Sequence, residues 1–420
     1  MLFRFARRFY RHTFSLQETQ KFFTSCKTSR DIKPAIISIT NFMKTEKLPD
    51  IPFRNILWGI AYLKQVNLNE SNFGKEITNQ FNANKNYYSN DTWALLLYLT
   101  KVHSLHDPNF VKNLYRDIPK HINQLGLKFF CYCIDGLTYR TDLLTQEIMD
   151  RVHEEIIRLE GKLKEEDLRI ITSNLKTLNK YYVGSHKAYD SLENEIFRLK
   201  DVLSLRTIAT AMSSFSIVAR IKTLKIYSIM LKPIIAKLPE INDTCSIPMI
   251  LNVYCQYVNL RLFEGLFDAC AQIILQNPEP YMKSNLDMLM TIHSFSKTGL
   301  YSEIIDLVPI YVKELPANIK QEPSNLGVFF IAILKYPLPT DYLQKCLRWL
   351  VEGQHLLFNH HKAKILMRLV TNNIDCPEFF AHCLETVKFT DLDILYFKAI
   401  IPKLKALGFS INAENTNNNN

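Results

Sequence analysis

Several groups of residues in this 420-residue chain have types and spacings suited to chemistry. Cys376, His382 and Cys383, with His360, His361 and Lys362 upstream, offer the thiol and imidazole ligands that zinc takes. Cys376 and Cys383 are seven apart, so two helical turns put both thiols on one side. His382 then points about 100° away, and no second pair closes a tetrahedron. Cys131 and Cys133 are alternate residues, which face apart on a helix. HEEIIR at 153–158 places Glu154 and Glu155 on a charged helical face, and KLKEED at 162–167 reads as a solvated turn. Neither brings the supporting groups that acid–base work requires. There is no P-loop, nucleophile elbow or HExxH. The expectation is a chain without catalytic, cofactor or metal site, and not an enzyme.

Basic residues and aromatic rings offer a different chemistry. Lys64, Lys101, Lys180 and Lys297 each stand two positions after a recurring large apolar residue, and Arg220 and Arg261 lie near the same turn. In a stacked array such cations project along one edge, spaced to meet the phosphates of a single strand. Tyr181 and Tyr182 follow Lys180, and Tyr87 and Tyr88 lie close to Lys85, where a ring beside a cation suits base stacking. The set expected to bind RNA is Lys101, Lys180, Arg220, Arg261 and Lys297, with Tyr181 as a stacker. A cation at a helix C-terminus also complements the macrodipole by about 0.3–1 kcal/mol, and the two roles are compatible.

The recurring apolar residues are Tyr62, Leu99, Ile134, Leu178, Phe215, Tyr254, Phe295, Leu334 and Leu369, about 38 positions apart. Each sits near the end of one amphipathic pattern, with a polar turn and a second amphipathic pattern after it. The first core residue of that second pattern lies nine positions after the anchor at Leu143, Leu224, Phe263, Ile304 and Leu343. Ser302, Thr340 and Asp375 stand where N-caps are expected, and Pro248 and Pro377 fall in first turns. Pro233 and Pro309 fall inside second helices, where a kink is expected. Only 11 residues are glycine, too few for a chain rich in hairpins or βα turns. The spacing predicts an all-α fold, an α-α superhelix (solenoid) of about nine or ten helix pairs over 31–408, closed by a terminal helix. The tail at 409–420 is asparagine-rich and is expected to be disordered.

The formal net charge is +10, but residues 1–30 hold seven basic residues and one acid, so +4 remains for the body. Arg4, Arg7, Arg8 and Arg11 alternate with Phe and Leu and precede the first acid, Glu18, as in a mitochondrial targeting segment. No run approaches the ~18–20 apolar residues of a membrane span. The nine scattered cysteines lack a CxxC pair and fit buried, reduced thiols.

The units AMSSFSIVARIKTLKIYSIMLKPIIAKL, NVYCQYVNLRLFEGLFDACAQIIL and TIHSFSKTGLYSEIIDLVPIYVKEL resemble heptatricopeptide repeats. Those are the helical repeats of the FAST-kinase-domain family and of the RAP-domain proteins of organelles. The resemblance covers residues 50–390 and implies a solenoid of the mitochondrial matrix acting in RNA processing, RNA stability or the mitochondrial ribosome. Its implied partners are mitochondrial RNA or rRNA and other mitochondrial proteins. Many members end in a RAP domain, an α/β module that the helical C-terminus here does not match, so no activity of that module carries over. The alternative expectation is a protein scaffold, an accessory subunit of a mitochondrial ribosomal or respiratory assembly, which the modest +4 favours.

Overall fold

The computed structural model describes residues 36–37, 39–41, 43–61, 72–103, 107–179, 186–218, 225–241, 243, 245–256, 263–282, 284–299, 322–387, 401–406 and 408–409. These residues form helices and turns, with no strand among them. The chain divides into two compact units, Met1–Thr223 and Leu224–Asn420.

In the first unit the helices are α1 (Asp50–Ala61), α2 (Phe73–Asn84), α3 (Asn90–Val102), α4 (Pro108–Asp117) and α5 (Leu127–Leu137). They continue as α6 (Gln146–Arg158), α7 (Glu165–Leu178), α8 (His186–Leu199) and α9 (Leu205–Val218). The first helix of each pair packs on the first helix of the next, in the order α1, α3, α5, α7, α9, and α6 packs on α8. Side-chain chemistry explains the sorting. α3 buries Trp93, Ala94, Leu95, Leu96, Leu97 and Leu99, an almost continuous apolar run suited to a helix covered on several sides. α4 buries only the stripe Phe110, Val111, Leu114 and Tyr115, and α6 the stripe Ile148, Met149, Val152 and Ile156 together with His153 and Glu155. Both leave a polar face to solvent.

The second unit contains α10 (Lys225–Lys237), α11 (Ser246–Tyr254), α12 (Glu264–Gln276), α13 (Asn285–Thr298), α14 (Pro323–Ile333), α15 (Thr340–Gly353), α16 (Asn359–Thr371) and α17 (Pro377–Thr386). Here α11, α13, α14 and α16 pack in that order, while α10 packs on α12 and α15 on α17.

Every described anchor is core: Leu99, Ile134, Leu178, Tyr254, Phe295, Leu334 and Leu369 are at most 1% exposed, and Phe215 is 8% exposed. Tyr62 lies outside the described residues. The nine-residue offset holds at Phe263, which is fully buried at the start of α12. It shifts at Leu143, which ends a 3-10 turn (Thr141–Leu143) and is half-buried, the core position passing to Leu144. Leu343 is half-buried as well, and Leu224 and Ile304 lie outside the described residues. Capping differs by one position. Thr340 is the first residue of α15, behind Pro339, and Cys376 rather than Asp375 precedes Pro377. Pro248 sits in the first turn of α11, and α10 runs unbroken through Pro233. Ser302 and Pro309 are outside the described residues.

Two glycines are required by geometry. A Cβ on Gly136 of α5 would stand 2.6 Å from the carbonyl carbon and oxygen of Leu97 in α3, so glycine sets how closely these helices approach. Gly299 closes α13 at φ 80°, a left-handed C-cap that returns its N–H to Phe295 O at 3.1 Å.

The second helices of the first unit carry a repeated clasp. Glu155 and Glu195 are both 2% exposed, each paired with the arginine three residues on, Arg158 and Arg198. Arg158 also donates to Leu125 O at 2.8 Å, and Arg198 to Leu163 O at 2.5 Å, each reaching the turn that leads into the first helix of its own pair. Glu195 accepts the amides of Gly161 at 2.6 Å and Leu163 at 3.1 Å. The segments EIIRL (155–159) and EIFRL (195–199) are thus the same device forty residues apart. Glu155 is not on a solvated face, as the sequence suggested; Glu154 is, paired with Arg151 at 2.8 Å.

Removing the clasp should cost far more than removing the exposed pair. Glu195→Ala leaves two amides and Arg198 without their partner and should lower stability by about 3 kcal/mol, read from the urea midpoint. Glu154→Ala should change it by less than about 0.5 kcal/mol. Equal effects of the two substitutions would contradict the clasp.

Candidate functional site

Hydrogen bonds between successive first helices join like ends, which fixes these helices as parallel within each unit. At the N-terminal edge of the first unit, Asp50 Oδ1 in α1 accepts from Ser89 N at 2.9 Å, Ser89 Oγ at 3.0 Å and Thr92 Oγ1 at 2.6 Å, all at the start of α3. Glu165 in α7 repeats this with Ser204 N at 2.8 Å and Thr207 Oγ1 at 2.8 Å, at the start of α9. The offsets are identical, Asp50 to Ser89 and Thr92, Glu165 to Ser204 and Thr207. Each acid lies where the exposed N–H groups of helix starts make the local potential positive. In the second unit Asp243 accepts from Ser246 N at 2.8 Å and Cys245 N at 3.1 Å at the head of α11. Asp287, 8% exposed in the first turn of α13, has its carboxyl pushed up by burial, with the nearby Asp243 charge adding to the shift.

Within each unit the opposite edge gathers the carbonyl ends, and its side chains differ between the units. In the first unit Lys101 at the end of α3 is bound to Asp135 of α5 at 2.7 Å and to Thr138 Oγ1 at 2.9 Å. Lys176 of α7 donates to Ser213 Oγ of α9 at 2.6 Å, and His103 bonds Ile60 O at 2.9 Å. Both lysines and the histidine are matched by an acceptor on a neighbouring helix.

In the second unit the matching carboxylates are absent among the described residues. Lys335, just past α14, reaches Ser296 O in α13 at 3.2 Å, which brings its amine beside Lys297. Asn372, at the end of α16, donates to Leu334 O at 2.9 Å, so the last turn of α16, with Arg368 one turn earlier, lies against Lys335. Arg368 Nε is buried without a partner. Lys403 continues the edge, reaching Asn373 Oδ1 at 3.2 Å and Val370 O at 3.4 Å. Burial holds the Lys335 ammonium below the usual lysine range, and the Arg368 and Lys297 charges push it the same way. His293, facing this corner from α13, is pushed down to about 4 by burial, then by Lys297 and Lys335.

Of the residues expected to bind RNA, the structure places Lys101 in an ion pair and Lys297, exposed, in the cationic corner. Lys180, Tyr181, Arg220 and Arg261 lie outside the described residues, as do Lys64 and Tyr182. Lys335 and Arg368 fall outside the two-after-anchor spacing because they stand one after and one before their anchors, Leu334 and Leu369. Tyr87 is 83% exposed next to exposed Lys85 and Asn86, whereas Tyr88 is core, its hydroxyl donating to Leu48 O at 3.2 Å and its ring stacked on Phe53 at 4.8 Å.

The metal candidates do not assemble. Lys362 Nζ stands 2.9 Å from His382 Nε2 and 3.2 Å from Thr386 Oγ1, so an ammonium occupies the position a cation would need. Among the described residues no three His, Cys, Asp or Glu side chains converge for a metal. Cys131 and Cys133 are buried, and burial raises both thiols to about 12. Among the described residues no helix is long and apolar enough to cross a membrane.

Comparison with known proteins gives no matching family model and no matching curated protein. The class defined by the structure is an all-helical chain whose helices pack against neighbours in sequence order.

The buried histidines make stability depend on pH. Burial is the main cause that lowers His153, His293 and His361 to about 4. Each binds fewer protons in the folded chain than in the unfolded chain. Their contribution is therefore complete above about pH 6.5 and is lost as pH falls toward 4, by at most about 1.4 kcal/mol per pH unit for each histidine. Urea midpoints at a series of pH values in that window should drop steadily, and His153→Gln should flatten the drop. A midpoint constant over the window contradicts the assignment.

Proposed function

We propose that this chain is an α-solenoid of about nine or ten helix pairs of the heptatricopeptide kind, working in the mitochondrial matrix. Its function in this reading is to bind RNA without catalysis, in organellar RNA processing, RNA stability or the mitochondrial ribosome. The observation that supports it most is the basic edge of the second unit, where Lys297, Lys335, Arg368 and Lys403 gather with no carboxylate among the described residues. A cluster of cations gathered from successive helix ends suits a polyanion. The arginine-rich residues 1–30 and the three repeat segments support the compartment and the family.

A second reading, a protein scaffold in a mitochondrial ribosomal or respiratory assembly, is favoured by one observation. Lys101, the ladder lysine of the first unit, is already held by Asp135 at 2.7 Å. Ultraviolet crosslinking separates the two. The full chain, purified from mitochondria after crosslinking, should carry mitochondrial transcripts or rRNA, and a fluorescent protein fused to residues 1–30 should enter the organelle. Recovery of stable protein complexes with RNA at background level would overturn RNA binding and select the scaffold.

A further inference from the structure

We infer that Lys297, Lys335 and Arg368 form a site for the phosphodiester backbone of single-stranded RNA at the carbonyl ends of α13, α14 and α16, and that the first unit's corresponding edge takes no part. This deepens the RNA-binding reading and rests on it. The three cations come from three consecutive first helices. Lys335 is carried to Lys297 by its bond to Ser296 O at 3.2 Å, and the α16 terminus is carried to Lys335 by the bond from Asn372 to Leu334 O at 2.9 Å.

Helix capping alone does not account for the group. A capping cation bonds the terminal carbonyls or sits near them as a single charge, as Lys335 does. Lys297 and Arg368 bond no described carbonyl, and Arg368 Nε is buried without any partner. Three like charges at one corner destabilise it unless a counter-charge is supplied, and in the first unit that counter-charge is internal, Asp135 for Lys101. Here no described residue is seen to supply it, and an external anion is the counter-charge assigned. A phosphate oxygen would accept from the terminal guanidinium nitrogens of half-buried Arg368 while its charge neutralises the two ammoniums. The cations come from successive first helices, whose axes pack about 8–10 Å apart, so one flexible strand of phosphates can meet more than one of them.

The test is fluorescence anisotropy of a labelled oligouridylate with the full chain over a salt titration. The variants are Lys297→Gln with Arg368→Gln, the same pair with Lys335→Gln added, and Lys176→Gln on the first unit's edge, each checked for an unchanged thermal transition. Wild type should bind, the triple variant should bind at least about tenfold more weakly, and its slope of log affinity on log salt should fall by about 2. If loss of the Lys335 cap unfolds the triple variant, the double variant decides, with a slope reduced by about 1.4. Lys176→Gln should stay within about twofold of wild type. Wild-type binding with unchanged affinity and slope in the double and triple variants overturns the site and leaves the RNA reading in place. Equal loss in Lys176→Gln overturns the division between the edges. No RNA binding by wild type, or binding of poly-glutamate in its place, overturns both the site and the reading.

Discussion

Parallel alignment of the first helices is the constraint on which the remaining features depend. Stacking helices side by side in one direction buries their apolar faces, but it also gathers partial positive charge along one edge and partial negative charge along the other. Neighbouring dipoles that point the same way repel. The sequence offsets this at both ends, with Asp50 and Glu165 bridging the starts of successive helices and Lys101, Lys176, Lys335 and Lys403 reaching across their ends. Each bridging acid spans from one repeat to the next, so edge electrostatics and repeat spacing are set by the same side chains.

Close packing is the second consequence. Gly136 lets α5 approach the backbone of α3, and Tyr115 spends its hydroxyl on Gly136 O and Leu137 O, both at 3.1 Å, at the end of the same helix. The buried hydroxyl satisfies carbonyls that helix termini leave open. The Glu-x-x-Arg clasps do comparable work for the second helices, tying each to the turn between the previous repeat and its own first helix. A substitution in any of these contacts therefore disturbs the spacing between repeats and not only one helix.

Much of this was legible in the sequence. The anchors report burial because a large apolar side chain at one register has a single fate in a stack, and all the described ones are core. Side chains at the edges are less legible, since their fate depends on what the next repeat supplies. Lys101 and Lys297 occupy the same position relative to their anchors, yet one meets Asp135 and the other meets Lys335. Arg368 and Lys335 converge through the packing of α14 and α16, which no fixed offset encodes. EIIRL and EIFRL carried a readable signal for the clasp, but a paired Glu and Arg on a helix reads as exposed until Leu125 O and Leu163 O are found beneath it. Differences at the caps, Pro339 for Thr340 and Cys376 for Asp375, are single-residue shifts of the kind that helix ends commonly show.

The central claim is that the carbonyl edge of the second unit's first helices is the working surface, and hydrogen exchange reads it most directly. The full chain is compared with and without oligouridylate. Protection should rise in the peptides that hold the ends of α13, α14 and α16, around Ser296, Leu334 and Asn372, and stay constant at the acidic starts around Asp243 and Asp287. Protection gained at those acidic starts, or only in the first unit, would contradict the account.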